Sequence, residues 1–230
     1  MEDYSLVAIG LVIALSIVGA YFAVKRTGNQ KELARQTAMS LGLDFIEGVE
    51  AYRAYYIDTG QAQILAGVEK MPSFWRKLIT SGAWWRLAGA RRGARVAITL
   101  ESRGKNQTTY TVVRVFYPRE LDFELRISKE GIPTKIGKAL FGLQDVEVGS
   151  PEFDPFLRVK TSDPGAAQRL LGPSEPRQAL LAAIQAYPAM VADRRHVSWE
   201  TCGSHLKVEE LEPVLDSLSA VAAALGGPSR

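Results

Sequence analysis

Residues 4–24, YSLVAIGLVIALSIVGAYFAV, run for 21 positions without a charge. No other stretch constrains the chain as strongly. At about 1.5 Å of rise per residue, a helix of this length crosses the roughly 30 Å hydrocarbon core of a bilayer. A secretory leader would want a basic start, a shorter apolar stretch and a small-x-small cleavage site. Here the chain opens on Met1-Glu2-Asp3, and no Ala-x-Ala site follows. A buried core helix is rarely apolar on every side over this length. The segment therefore reads as an uncleaved membrane anchor. Lys25 and Arg26 follow it, then Lys31 and Arg35, whereas only two acids precede it. Basic flanks stay cytoplasmic. The expectation is a single-pass membrane protein, N-terminus outside and the body in the cytoplasm.

The expected organisation is a tail at 1–3, the transmembrane helix at 4–24, a juxtamembrane linker at 25–29, one domain at 30–226 and a tail at 227–230. Thr27-Gly28-Asn29 marks the break. The expected fold class is α+β: one N-terminal transmembrane helix, then a single cytoplasmic domain of mostly antiparallel sheet with packed helices. Residues 30–41 read as a helix ended by Gly42. Residues 51–57 and 61–67 read as a hairpin across Asp58-Thr59-Gly60. Residues 95–101 alternate, with Val96, Ile98 and Leu100 on one face; 108–117 return as a strand and 123–127 alternate again. Asp163-Pro164 opens a helix that Gly172 closes, and Ser174 can cap the next. A second hairpin, His196–Glu200 with His205–Glu209, precedes a last helix from about Pro213. That helix carries the stripe Val214, Leu215, Leu218, Val221, Ala222 and Leu225.

Chemistry is sparsely signalled. Cys202 is the single cysteine, so neither an intrachain disulfide nor a multi-cysteine metal cluster can form. Gly131 to Lys138, GIPTKIGK, has five residues between its glycines where a phosphate loop needs four, and Ala139 follows where a hydroxyl should hold magnesium. The second hairpin would place His205 and His196 at opposite ends, too far apart to share a metal, with Cys202 at the tip lacking a basic neighbour. Asn106-Gln107-Thr108 fits a glycosylation pattern but lies on the cytoplasmic side of the expected topology. No catalytic, cofactor or metal residue is assigned, no cofactor is expected, and the chain is read as a non-enzyme.

One segment carries a resemblance. Residues 149–171 read GSPEFDPFLRVKTSDPGAAQRLL. This is similar to an uncharacterised bacterial family of membrane-anchored proteins. In that family a Gly-Asp-x-x-Phe-Asp-x-x-Phe-x-Val run precedes an Asp-x-x-x-Ala-x-x-Leu-Leu helix. Gly149, Phe153, Asp154, Val159, Asp163, Ala167, Leu170 and Leu171 match. Ser150 stands where the family has Asp, and Leu157 where it has Phe. The resemblance implies architecture and carries no catalytic residue.

Charge is the strongest functional signal. Residues 70–105 hold nine basic residues and one acid, Glu101, a net +8 in a chain of net +3, so the remainder carries −5. Trp75, Trp84 and Trp85 fall in the same window. Beside an anchored domain, such a segment faces anionic headgroups. The candidate contact residues are Lys70, Phe74, Trp75, Arg76, Lys77, Trp84, Trp85, Arg86, Arg91 and Arg92. The competing reading makes the tryptophans core and the charges a solvated rim; nucleic acid is the least favoured partner. Three functions follow. The leading one is a membrane-anchored, non-enzymatic interaction module, an accessory subunit of a larger membrane assembly with a protein partner. The second is a peripheral domain that binds anionic membrane lipid through 70–105. The third is an enzyme whose site the sequence does not reveal.

Overall fold

The computed structural model describes residues 28–74, 84–131 and 143–226. Helix α1 covers 28–41 and ends at Gly42, whose φ of 67° a side chain would resist. Strand β1 (Asp44–Glu47) leads into helices α2 (Val49–Asp58) and α3 (Ala62–Glu69). Strands β2 (Trp85–Arg91), β3 (Ala94–Arg103), β4 (Thr108–Phe116), β5 (Leu125–Lys129), β6 (Gln144–Val146) and β7 (Leu157–Thr161) follow. Helices α4 (Pro164–Leu171) and α5 (Ser174–Ala186), strands β8 (Val191–Asp193) and β9 (His196–Cys202), and helix α6 (Val208–Gly226) complete the chain.

The nine strands form one sheet in the order β1-β2-β3-β4-β9-β8-β5-β7-β6. Every neighbouring pair from β2 to β6 is antiparallel. Register assigns the faces, because directly opposed residues share one. Val96 opposes Val115 and Ile98 opposes Val113; Val115 and Val113 in turn oppose Val197 and Trp199. Helix α6 packs over this face on β3, β4 and β9, with α5 against α6. Leu211, Val214, Leu215, Leu218, Val221, Ala222 and Leu225 are all at most 2% exposed, a stripe of helical period over a sheet of period two.

Two expectations of fold class are corrected. The chain divides into two compact units rather than one domain: Met1–Thr37 with Glu47–Trp85, and Ala38–Ile46 with Arg86–Arg230. The sheet apart from Glu47 and Trp85 belongs to the larger unit, and α2 with α3 to the smaller. Among the described residues no helix is long and apolar enough to cross a membrane. The anchor expected at 4–24 lies outside them.

Three local expectations are also corrected. Residues 51–57 and 61–67 are not a hairpin but α2 and α3. Asp58-Thr59-Gly60 ends a helix instead of turning a strand, with Gln61 N–H donating to the Tyr56 carbonyl at 2.8 Å. Residues 205–209 pair with no strand, because α6 starts at Val208 and carries Pro213 inside it. Pro173, not Ser174, holds the N-cap position of α5. The cap predicted for α4 is present: the Asp163 carboxylate accepts from Ala166 N–H at 2.9 Å, and Pro164 occupies the first turn.

Candidate functional site

In the smaller unit, α2 places three tyrosines against Trp84. Tyr52 meets the indole edge-on at 5.0 Å between ring centroids, Tyr55 at 5.4 Å and Tyr56 at 6.1 Å, while Tyr52 and Tyr56 stand 4.8 Å apart. Such pairs add about 0.5–1.5 kcal/mol each beyond their burial. Burial, and then the neighbouring Tyr56, push the Tyr52 hydroxyl above its ordinary range. Arg53 of α2 reaches Glu69 of α3 at 3.0 Å. Apolar side chains face outward from the same unit. Leu33, Val49, Ile57, Ile64, Met71 and Phe74 are each at least 40% exposed, Phe74 at 69%. Ile64 projects from α3, and Met71 follows just beyond the Lys70 cap that ends the helix. The hairpin reading of 51–57 and 61–67 hid this surface, since it put Ile57 and Ile64 on paired strands rather than on two helices.

The basic window is dispersed. Lys70 and Phe74 are exposed, Trp84 joins the tyrosines, and Trp75, Arg76 and Lys77 lie outside the described residues. Trp85 is 8% exposed and Arg86 2%, so both are interior. Arg91 donates to Asp216 at 2.7 Å and to Glu212 at 2.9 Å, both on α6, and Arg92 pairs with Asp216 at 3.2 Å. The hydrogen bond from Arg91 holds the Asp216 carboxyl below the ordinary carboxylate range. Arg95 stacks over the Phe116 ring at 3.6 Å.

Arg103 and Arg114 complete this pattern on the sheet face opposite α6. Arg114 Nη2 donates to Glu101 at 2.7 Å and Arg103 Nη1 to Glu200 at 2.6 Å, and Arg103 also bonds Glu101. Burial alone would raise the Glu101 carboxyl, but Arg114 and Arg103 outweigh it and hold the group low. The −5 carried elsewhere is therefore not spread at random. Glu200, Glu212 and Asp216 answer Arg103, Arg91 and Arg92 of the window.

The segment that carries the resemblance builds a turn. Gly149 adopts a φ of 77°. The Asp154 carboxylate accepts from Val148 N–H at 3.0 Å and Ser150 N–H at 2.8 Å. Phe153 is fully buried; Val159 enters the sheet, and Ala167 and Leu171 are buried on α4 while Leu170 is half-buried. Asp163 is the α4 cap.

Cys202 is exposed at the end of β9. His205 bonds Glu210 through Nδ1 and the Cys202 carbonyl through Nε2, both at 2.9 Å. His196 stacks near Phe116 with Nδ1 3.1 Å from Asp193. Burial would raise the Asp193 carboxyl, but the hydrogen bond and charge of His196 hold it low. Among the described residues no three His, Cys, Asp or Glu side chains gather as a metal site. Two open clefts lie on the larger unit. One, of about 550 Å³, is lined by Arg119, Asp122, Phe123, Asp163 and Arg169; the other, of about 590 Å³, by Glu130, Asp145, Asp154 and Arg158.

No known family matches the sequence, and no curated protein does. Among solved structures the chain is similar to the crystal structure of the mycobacterial trehalose monomycolate transport factor A, TtfA. That likeness has 12% identity and a TM-score of 0.49, and covers 85% of this chain and 94% of that one. A likeness of this degree decides neither fold nor function.

Proposed function

We propose that the chain is a non-enzymatic interaction module that docks a partner protein on the apolar surface of its smaller unit, as an accessory subunit of a larger assembly. The concentration of exposed apolar side chains carries this reading. Of the eight large hydrophobic side chains exposed among the described residues, six belong to the smaller unit and only Met39 and Phe156 to the larger. Fully burying one such side chain contributes roughly 1.5–3 kcal/mol, so two or three suffice to anchor an interface. The shifted carboxyl groups support the non-enzymatic reading, since Glu101, Asp193 and Asp216 each owe their shift to a structural partner. Three of the nine cations that recommended anionic lipid, Arg91, Arg92 and Arg103, are paired inside the larger unit with Glu101, Glu200, Glu212 and Asp216.

The test is the size of the complex in mild detergent extracts. Wild-type chain should migrate in an assembly larger than itself, and Ile64→Asp with Met71→Asp should release it while leaving its circular dichroism unchanged. A double variant that keeps the wild-type assembly contradicts the proposal.

A further inference from the structure

Strand β5 lies inside the sheet between β8 and β7, and Arg126 projects from it on the face opposite Leu125 and Ile127. Register sets Arg126 directly across from Lys160 of β7 and Ser128 across from Arg158, so three cations share one face of two adjacent strands. Directly opposed like charges repel, with Cβ atoms only about 4.5–5.5 Å apart. Asp145 on β6 answers this only at the rim, 3.4 Å from Arg158 and 3.9 Å from Lys160. Arg126 opposes Asp193 on its other side, but Asp193 Oδ1 already accepts the amides of Arg195 and His196 at 2.8 and 2.9 Å.

Among the described residues Arg126 has no hydrogen-bond or ion-pair partner, and its Nε is buried. Burial lowers the guanidinium's affinity for its proton, against the pull of Asp193 and Glu200. A guanidinium kept half out of water without an acceptor is costly, and an oxyanion removes that cost. The residue is only half-buried, so an anion can reach the fork.

We propose that Arg126 and Lys160, with Arg158 at the rim, form a binding site for a phosphate-type oxyanion on the face of β5 and β7 opposite Leu125 and Ile127. The guanidinium offers two parallel donors and the ammonium a third, which suits a tetrahedral group with several acceptor oxygens. The oxyanion can come from free phosphate or from the headgroup of a phospholipid. This site lies in the larger unit and does not depend on the partner surface of the smaller one.

Calorimetric titration of the full chain at constant ionic strength tests it, with inorganic phosphate in one arm and a water-soluble short-chain phosphatidic acid in the other. Wild type should bind, and Arg126→Gln or Lys160→Gln should weaken binding roughly tenfold, about 1.4 kcal/mol. Arg126→Lys, which keeps the charge and loses the fork, should fall between. Lys129→Gln, exposed on the same strand and on the opposite face, should bind as wild type does. Equal affinity in both arms supports the site with free phosphate as a sufficient ligand, and tighter binding of the phosphatidic acid supports it with a headgroup as ligand. No binding in either arm, or equal binding by folded Arg126→Gln, overturns the proposal.

Discussion

Arg114 of β4 reaches along the sheet past Thr99 to Glu101 of β3, closing to 2.7 Å with each side chain only one-tenth exposed. Arg103 holds the other carboxylate oxygen and extends the chain of charges to Glu200 on β9. Three strands are thus tied on the face away from α6 by a chain of charges that is largely out of water at Arg114–Glu101 and half exposed at Glu200.

Removing the central acid should be expensive. Glu101→Ala leaves two arginines short of their shared acceptor and should cost about 3–5 kcal/mol. Adding Arg114→Ala to that variant should cost less than the sum of the single changes, because the pair acts as a unit. Denaturant unfolding of both singles and the double checks this.

Acid should weaken the same network. Glu101 is held below the range of an unfolded carboxyl, so its contribution is full above the unfolded value and is lost as the pH falls through the lower folded one. Melting temperatures measured down through the carboxylate range should fall more steeply for wild type than for Glu101→Gln. Parallel curves would show that this carboxyl contributes nothing to the pH dependence.

The Gly149–Leu171 segment should behave as scaffold. Phe153→Ala empties a fully buried site and should cost about 3–5 kcal/mol. Asp154→Ala frees two backbone donors from a charged acceptor and should cost about 1.5–3 kcal/mol. Asp163→Ala should cost about 1 kcal/mol, the value of a helix cap. A smaller loss for Phe153→Ala than for Asp163→Ala would contradict this ordering.

Local rules made part of this legible. Alternation from Val96 to Leu100, a Gly104 turn and a β-branched return strand describe β3 and β4 as they stand. Asp163-Pro164 marks the start of α4, and a stripe of period 3.6 marks most of α6. Helices α2 and α3 escaped because a Tyr-rich run has strand propensity, and Asp58-Thr59-Gly60 closes a helix as readily as it turns a hairpin. The basic window misled for a different reason. Arg91 and Asp216 are 125 positions apart, so a run of arginines that reads as a basic patch meets its acids only after folding.

Photo-crosslinking in intact cells tests whether a partner protein docks on the smaller unit. A photoreactive residue placed at Ile64 or Met71 should yield one discrete adduct of defined mass, and the same residue at Phe156 of the larger unit should not. An adduct at twice the chain mass would replace the partner protein with a second copy of the chain. A heterologous adduct confined to the smaller unit is the expected result. Equal labelling at Ile64 and Phe156, or none at Ile64 and Met71, would contradict it.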